Sequence, residues 1–231
     1  MKNSKFLIIF LGVFLLIGNA WGYPLFSVGD IIDYDDGPGT WFGLGTDGYS
    51  LNGGSFWIYK TGTSDKVQTF CIERDEYLYD GSLIKDISQK VISGGVDSNA
   101  SPLLSTQAAY LFYRWTTQEI NKLSEDYASA YQALIWYYEG ELNLLKNSTN
   151  TNGYAYLNDG AEEIANKLKA IVDSMTLSGY YGVSVLNLEN SSGTQRQSLL
   201  YYNPVPEPVS MLLFGTGLVG VGGYVRRRFK K

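Results

Sequence analysis

The chain has 231 residues, 45% hydrophobic and 15% aromatic, with 19 tyrosines, 26 glycines and only 18% charged residues. That composition excludes a disordered segment and suits a β-rich, turn-rich extracellular domain, because aromatics pack well on pleated surfaces and glycines supply turns. The charge is uneven: seven of the 18 Lys and Arg lie at the two ends, whereas all acidic residues except Glu207 lie between them, so the middle carries a net charge of −11, which repels phosphate backbones and excludes nucleic acid as a partner.

The N-terminus, "MKNSKFLIIFLGVFLLIGNAWG", has a basic start, an apolar run from Phe6 to Ile17, and small residues that permit cleavage after Ala20 or Gly22. These are the parts of a secretory signal peptide, over 1–22. The apolar run is shorter than the ~20 residues that span a bilayer, which argues against a permanent anchor.

From Phe26 to Leu78, short apolar or aromatic stretches alternate with Gly, Asp and Asn, as in "FSVGDIIDY", "TWFGLG", "GGSFWIY" and "VQTFCIER". They predict strands joined by tight turns, in a sheet or a sandwich. In the last of them Val67, Thr69, Cys71 and Glu73 share one side, and Gln68, Phe70 and Ile72 the other. Burial of Phe70 and Ile72 leaves Cys71 pointing toward a second layer.

Helical signals follow. "SPLLSTQAAYLFYRW" offers Ser105 or Thr106 as a cap before apolar residues at helical spacing, and "SEDYASAYQALIWYYEGE" offers Ser124 as cap, Glu125 and Asp126 at the positive end, and Gly140 as a stop. A third segment, "NDGAEEIANKLKAIVDSM", predicts an amphipathic helix with Ile164, Leu168, Ile171 and Val172 facing in. "YYGVSVLNLE" and "RQSLLYY" return to strand character. The expected class is α+β over residues 23–203, β-rich with two to three helices in the middle, flanked by the N-terminal signal helix and a C-terminal transmembrane helix.

That C-terminal segment has an apolar run from Val209 to Val225 followed by Arg226, Arg227 and Arg228, which act as a cytoplasmic stop signal under the positive-inside rule. At about 1.5 Å per residue it reaches roughly 25 Å, near the short end for a crossing. Before it, Val205, Pro206, Glu207 and Pro208 hold the backbone extended and remove donors, which keeps the segment open to a protease. Together, residues 204–231 resemble the PEP-CTERM sorting signal of Gram-negative bacteria. The resemblance implies export, inner-membrane anchoring before processing, cleavage by exosortase, a membrane cysteine peptidase, and a destination at the cell surface or in a biofilm matrix.

No histidine is present, so Ser-His-Asp and Cys-His catalysis and His-containing zinc sites are unavailable. No conventional catalytic motif stands out, and no cofactor or metal is expected. Paired carboxylates remain, with Glu73, Asp75, Glu76, Glu139 and Glu141 as the acids for a glycosidase acting on exopolysaccharide, and aromatics without such acids would suit a carbohydrate-binding module instead. Asp33, Asp35 and Asp36 could approach a calcium ion but lack the spacing of an EF-hand loop and its distal glutamate, so a turn is the simpler reading.

Cys71 is the single cysteine and has no internal disulfide partner. Gln132 sits on an apolar helical stripe with Ala128, Ile135 and Trp136, and burying an unpaired amide costs about 1–3 kcal/mol, so it needs a partner, either a backbone group or Cys71. Phe70-Cys71-Ile72, followed by Gln132-Ala133-Leu134-Ile135-Trp136, resembles the two motifs of bacterial surface thioester domains, over about residues 67–141, with Tyr131 standing where that family has threonine. The resemblance implies an internal Cys71–Gln132 thioester that a surface amine on a partner opens. Gln107 is the competing glutamine, and a buried free cysteine acting as a small apolar residue is the alternative role for Cys71.

Replacing Pro206, Glu207 and Pro208 together with alanine should leave the tail uncut in the producing cell, read by the size of the exported chain. Unchanged processing of that triple variant would remove exosortase sorting from consideration.

Overall fold

The computed structural model describes residues 24–39, 41–44, 50–52, 54–74, 76–91, 103–141, 157 and 159–203. The expected signal peptide and sorting tail, including the 209–225 helix, lie outside these residues. Among the described residues, no helix is long and apolar enough to cross a membrane. Phe26–Asn203 forms one folded unit.

In chain order the unit comprises β1 (Ile31–Asp36), β2 (Trp41–Leu44), β3 (Ser50–Asn52), β4 (Phe56–Lys60), β5 (Val67–Thr69), β6 (Ser82–Ser88), α1 (Thr106–Thr117), α2 (Glu125–Tyr138), α3 (Asp159–Asp173), β7 (Val183–Glu189) and β8 (Gln195–Tyr202). Six strands form an antiparallel sheet in the order β5-β4-β1-β6-β7-β8, and β2 and β3 pair separately. The architecture is α+β. It is a single main sheet rather than a sandwich, and its two ends meet. Beyond β5 the chain leaves β4 and pairs with β8: Cys71 lies opposite Leu199, Ile72 N–H donates to the Ser198 carbonyl (3.0 Å), and Leu200 N–H donates to the Phe70 carbonyl (3.1 Å). The six strands thereby close into a barrel.

Strand register divides the buried side chains between two faces. Ile32, Ile58, Ile84, Leu188, Leu186 and Leu199 follow one another through the cross-strand pairs on the inner face, all fully or nearly fully buried. Phe70, Ile72, Val183, Val185 and Leu200 stand on the outer face, packed with the helices. Cys71, opposite Leu199, belongs to the inner face. The period-2 reading of "TFCIE" therefore holds, with Phe70 and Ile72 together and Cys71 opposed.

The helices begin and end as their sequences dictate. Ser105 caps α1 by accepting from Ala108 N–H, Ser124 caps α2 by accepting from Tyr127 N–H, and Gly140, with φ of +83°, ends α2 in the left-handed conformation glycine takes without strain. The aromatic core between α1, α2 and the seam centres on Phe70, whose ring lies 4.9 Å from Trp115 and 6.4 Å from Tyr131.

Two expectations need correction. Ile171 does not face in: it is 43% exposed, while Ala161, Ala165, Leu168 and Val172 form the buried stripe of α3. The segment Asp33–Asp36 is strand, not turn, as β1 runs on to Asp36 against Phe56. The sequence reading also omitted β6, a central strand. Its pairing with β7 shifts register between Ile84 and Asp86, so its apolar residues, Leu83, Ile84 and Ile87, show no clean alternation.

Candidate functional site at the barrel seam

The backbone of Cys71 spends its strand bonds unusually. Its neighbours Phe70 and Ile72 bond to β8, which leaves the N–H and C=O of Cys71 itself directed to the other flank, where β4 has already ended opposite Thr69. Gln132, from the middle of α2, fills that flank: Cys71 N–H donates to Gln132 Oε1 (3.0 Å) and Gln132 Nε2 donates to the Cys71 carbonyl (2.8 Å). One carboxamide thus replaces the missing strand residue, and both residues are buried. The partner sought from the sequence, a backbone group or Cys71, is the backbone of Cys71. Gln107, the competing glutamine, is only half-buried in the first turn of α1, where its Oε1 accepts from Thr106.

Tyr131 occupies the adjoining position as a core residue, its ring 5.1 Å from Trp115, and burial pushes its hydroxyl up to about 12. Burial also pushes the Cys71 thiol well above its usual range, and the Glu73 carboxylate adds to the rise. Cys71 therefore stays a thiol, the reverse of a cysteine activated by neighbouring cations.

Glu73 follows two residues later. Its Oε2 accepts from Ser198 N–H (2.8 Å) and from Gln197 Nε2 (2.9 Å), both on β8, while Oε1 finds no partner among the described residues. Burial is the main reason its carboxyl rises to about 7; the Ser198 hydrogen bonds oppose the rise and Glu141 adds to it. Sequence reasoning missed Gln197 and Ser198, each 1% exposed. Strand alternation would bury only one of two adjacent polar residues, and nothing in "RQSLLYY" signals that Gln197 reaches Glu73 with its side chain while Ser198 offers its backbone N–H there and its hydroxyl to Asn187.

The remaining acids each hold contacts of their own. Glu139 Oε1 accepts from Ser105 N–H (3.0 Å) and Oγ (2.6 Å), tying the end of α2 to the cap of α1, and burial raises its carboxyl. Glu141 accepts from Arg74 N–H, Glu76 is half-buried, and Asp75 lies outside the described residues. Asp33 accepts from Gly81 N–H and Asp35 pairs with Lys66. Among the described residues, no group of three or more His, Cys, Asp or Glu could hold a metal ion.

A separate cleft of about 300 Å³ opens between β4, β5, α1 and β8, where Trp57, Phe112, Trp115, Tyr201 and Tyr202 line it. Its polar lining includes Gln68 and Lys122, whose ammonium donates to the Thr116 carbonyl (3.0 Å), and no lining residue carries a carboxylate.

Comparison with known proteins finds one family feature: the PEP-CTERM protein-sorting motif matches residues 204–228. No curated protein and no solved structure matches the chain. The motif contains Val205, Pro206, Glu207, Pro208 and Arg226–Arg228, and it implies an exported protein with exosortase as its processing partner.

The raised carboxyl of Glu73 has a defined consequence for stability. Its folded value, about 7, exceeds the ordinary 4.5, so its contribution is complete below pH 4.5 and is lost as pH rises through 7. Glu73→Gln should match the wild type near pH 4.5 and exceed it above pH 7 by about 3 kcal/mol, read from denaturant midpoints across pH. A constant difference between the two proteins at all pH values would show that the Glu73 carboxyl has the same pKa folded and unfolded.

Proposed function

We propose that this exported, exosortase-sorted chain is an adhesive or structural component of the cell envelope or extracellular matrix, acting through an internal thioester between Cys71 and Gln132. The supporting observation is the double hydrogen bond that holds the Gln132 carboxamide against Cys71. The resemblance of Phe70-Cys71-Ile72 and of Gln132 to Trp136 to thioester-domain motifs points the same way.

In the reaction, Cys71 Sγ adds to the Gln132 amide carbon, the C–N bond breaks, the thiol proton passes to the departing nitrogen, and ammonia leaves. A primary amine on a partner later attacks the same carbon, forming an amide and returning the thiol. Holding the two groups together substitutes for the missing thiolate, since well-oriented intramolecular reactions reach effective molarities of about 10⁵–10⁸ M. Burial of both residues shields the bond from hydrolysis.

Intact mass distinguishes the outcomes. The purified full chain, compared with Cys71→Ala carrying the same processed ends, should be lighter by one ammonia beyond the substitution itself, and methylamine should restore that mass plus its own alkyl group. A chain of unmodified mass whose Cys71 is freely alkylated after denaturation would exclude the thioester.

A second reading draws on the cleft beside α1: aromatic walls without a carboxylate suit non-covalent saccharide binding rather than glycoside cleavage. On that reading Trp57→Ala should weaken retention on the producer's exopolysaccharide at least about tenfold, the order expected on losing an aromatic contact. Unchanged retention would rule the cleft out as a saccharide site.

A further inference from the structure

The seam holds an acid whose placement serves neither closure of the barrel nor the helix caps alone. Glu73 is 2% exposed, one of its oxygens is pinned by two donors from β8, and the other is buried without a hydrogen-bond partner among the described residues. A buried acceptor left unpaired costs free energy, more for a charged group, so this half-satisfied acid is an expensive feature two residues from the only thiol.

Any exchange between a thiol and a carboxamide must move a proton from sulfur to nitrogen. With no histidine in the chain, the side chains left to carry a proton to or from the thiol are carboxyls, amines and phenols. Glu73 lies two residues beyond Cys71 on the same side of the strand, bonded to Gln197 as Cys71 lies opposite Leu199, and its charge raises the Cys71 thiol. Glu139 is engaged by Ser105, and Glu141 by Arg74. Tyr34, on the inner face with Cys71, has its own hydroxyl raised by burial and by Asp36 and Asp80, which makes it a poor acceptor near neutrality.

We infer that Glu73 is the proton carrier of the Cys71–Gln132 reaction, its free oxygen taking the thiol proton as the S–C bond forms and passing it to the amide nitrogen as the C–N bond breaks and ammonia departs. The inference rests on the thioester reading. In the opening step the order reverses: the attacking amine gives up its proton to Glu73, the new C–N bond forms, the C–S bond breaks, and the proton returns to sulfur. Burial and Glu141 push the Glu73 carboxyl upward while the Ser198 hydrogen bonds pull it down, and the balance lies at about 7, where both protonation states are populated at neutral pH. The anchored oxygen fixes the carboxyl against β8, which leaves its other oxygen as the mobile-proton site.

The test follows ammonia loss by intact mass after the denatured full chain is returned to folding conditions at a series of pH values. Wild type should react faster as pH rises, with an inflection near 7, and Glu73→Gln should react at least about tenfold more slowly without that inflection. Glu73→Asp, which keeps a carboxyl, should recover part of the rate, and circular dichroism checks that each variant is folded. If Glu73→Gln reacts at the wild-type rate with the wild-type pH profile, the proton-carrier role is overturned and the thioester stands. If the folded wild type loses no ammonia, both fall together. Methylamine opening of the preformed bond provides a second readout on the wild type alone: the same inflection supports the role, and a flat profile contradicts it.

Discussion

Closing a six-stranded barrel requires that the last strand edge find partners, and here the closing edge is three residues long. Phe70 and Ile72 supply the bonds to β8, which exposes the N–H and C=O of Cys71 on the other flank. In a buried seam each unpaired backbone group would cost about 1–3 kcal/mol. The Gln132 carboxamide answers both at once, and in doing so fixes α2 in register with the barrel. The aromatic core follows from that registration. With Gln132 directed at the seam, the adjoining Tyr131 ring comes to lie against Phe70 and Trp115, and α1 closes over them. Glu139, two turns further along α2, then meets the cap of α1. A single carboxamide thus coordinates the barrel with two helices.

The same closure creates an electrostatic problem. Glu73 and Glu139 are buried close enough to Glu141 that it raises both, and no cation among the described residues neutralises Glu73. Backbone and hydroxyl donors take the place of cations, from Ser198 for Glu73 and from Ser105 for Glu139, and protonation relieves the rest. This environment disfavours thiolate at Cys71, and it ties Glu139 to the Ser105 donors and Glu141 to the Arg74 N–H. What it leaves is a neutral thiol on a residue whose backbone a fixed amide holds, and an acid whose carboxyl lies at about 7.

Much of this was legible in the sequence, and the limits have physical reasons. The caps at Ser105 and Ser124 and the stop at Gly140 are local signals and appear as read. The faces of the "TFCIE" strand follow from a period of two. The strand β6 escaped because a register shift breaks its alternation, and closure of the barrel escaped because the pairing of Cys71 with Leu199 is a single long-range bridge with no local trace. Ile171 shows the limit of a helical stripe: neighbouring positions divide at its edge, and only the packing partner decides that Val172 is buried and Ile171 is not. The need of Gln132 for a partner was readable from its apolar neighbours. That the partner would be two backbone groups of Cys71 was not, since it depends on where β4 stops.

The address and the thiol constrain each other. The sorting motif implies export, and in an oxidising setting an exposed unpaired cysteine would invite disulfides between chains. At 6% exposure in the seam, Cys71 avoids that fate whether or not it reacts. Burial of the thiol alone therefore does not argue for chemistry. The carboxamide is different: a backbone flank can be satisfied by a strand residue, a water or several polar side chains, yet the group placed there is a primary amide, which a thiol can convert by losing ammonia. Two residues after Cys71, Glu73 keeps one oxygen unpaired among the described residues, at a cost the fold could have avoided by burying an apolar residue in its place. A seam built only for closure would need neither the thiol nor the unpaired acid, and it is their coincidence with the amide, rather than any one of the three, that favours the reactive reading.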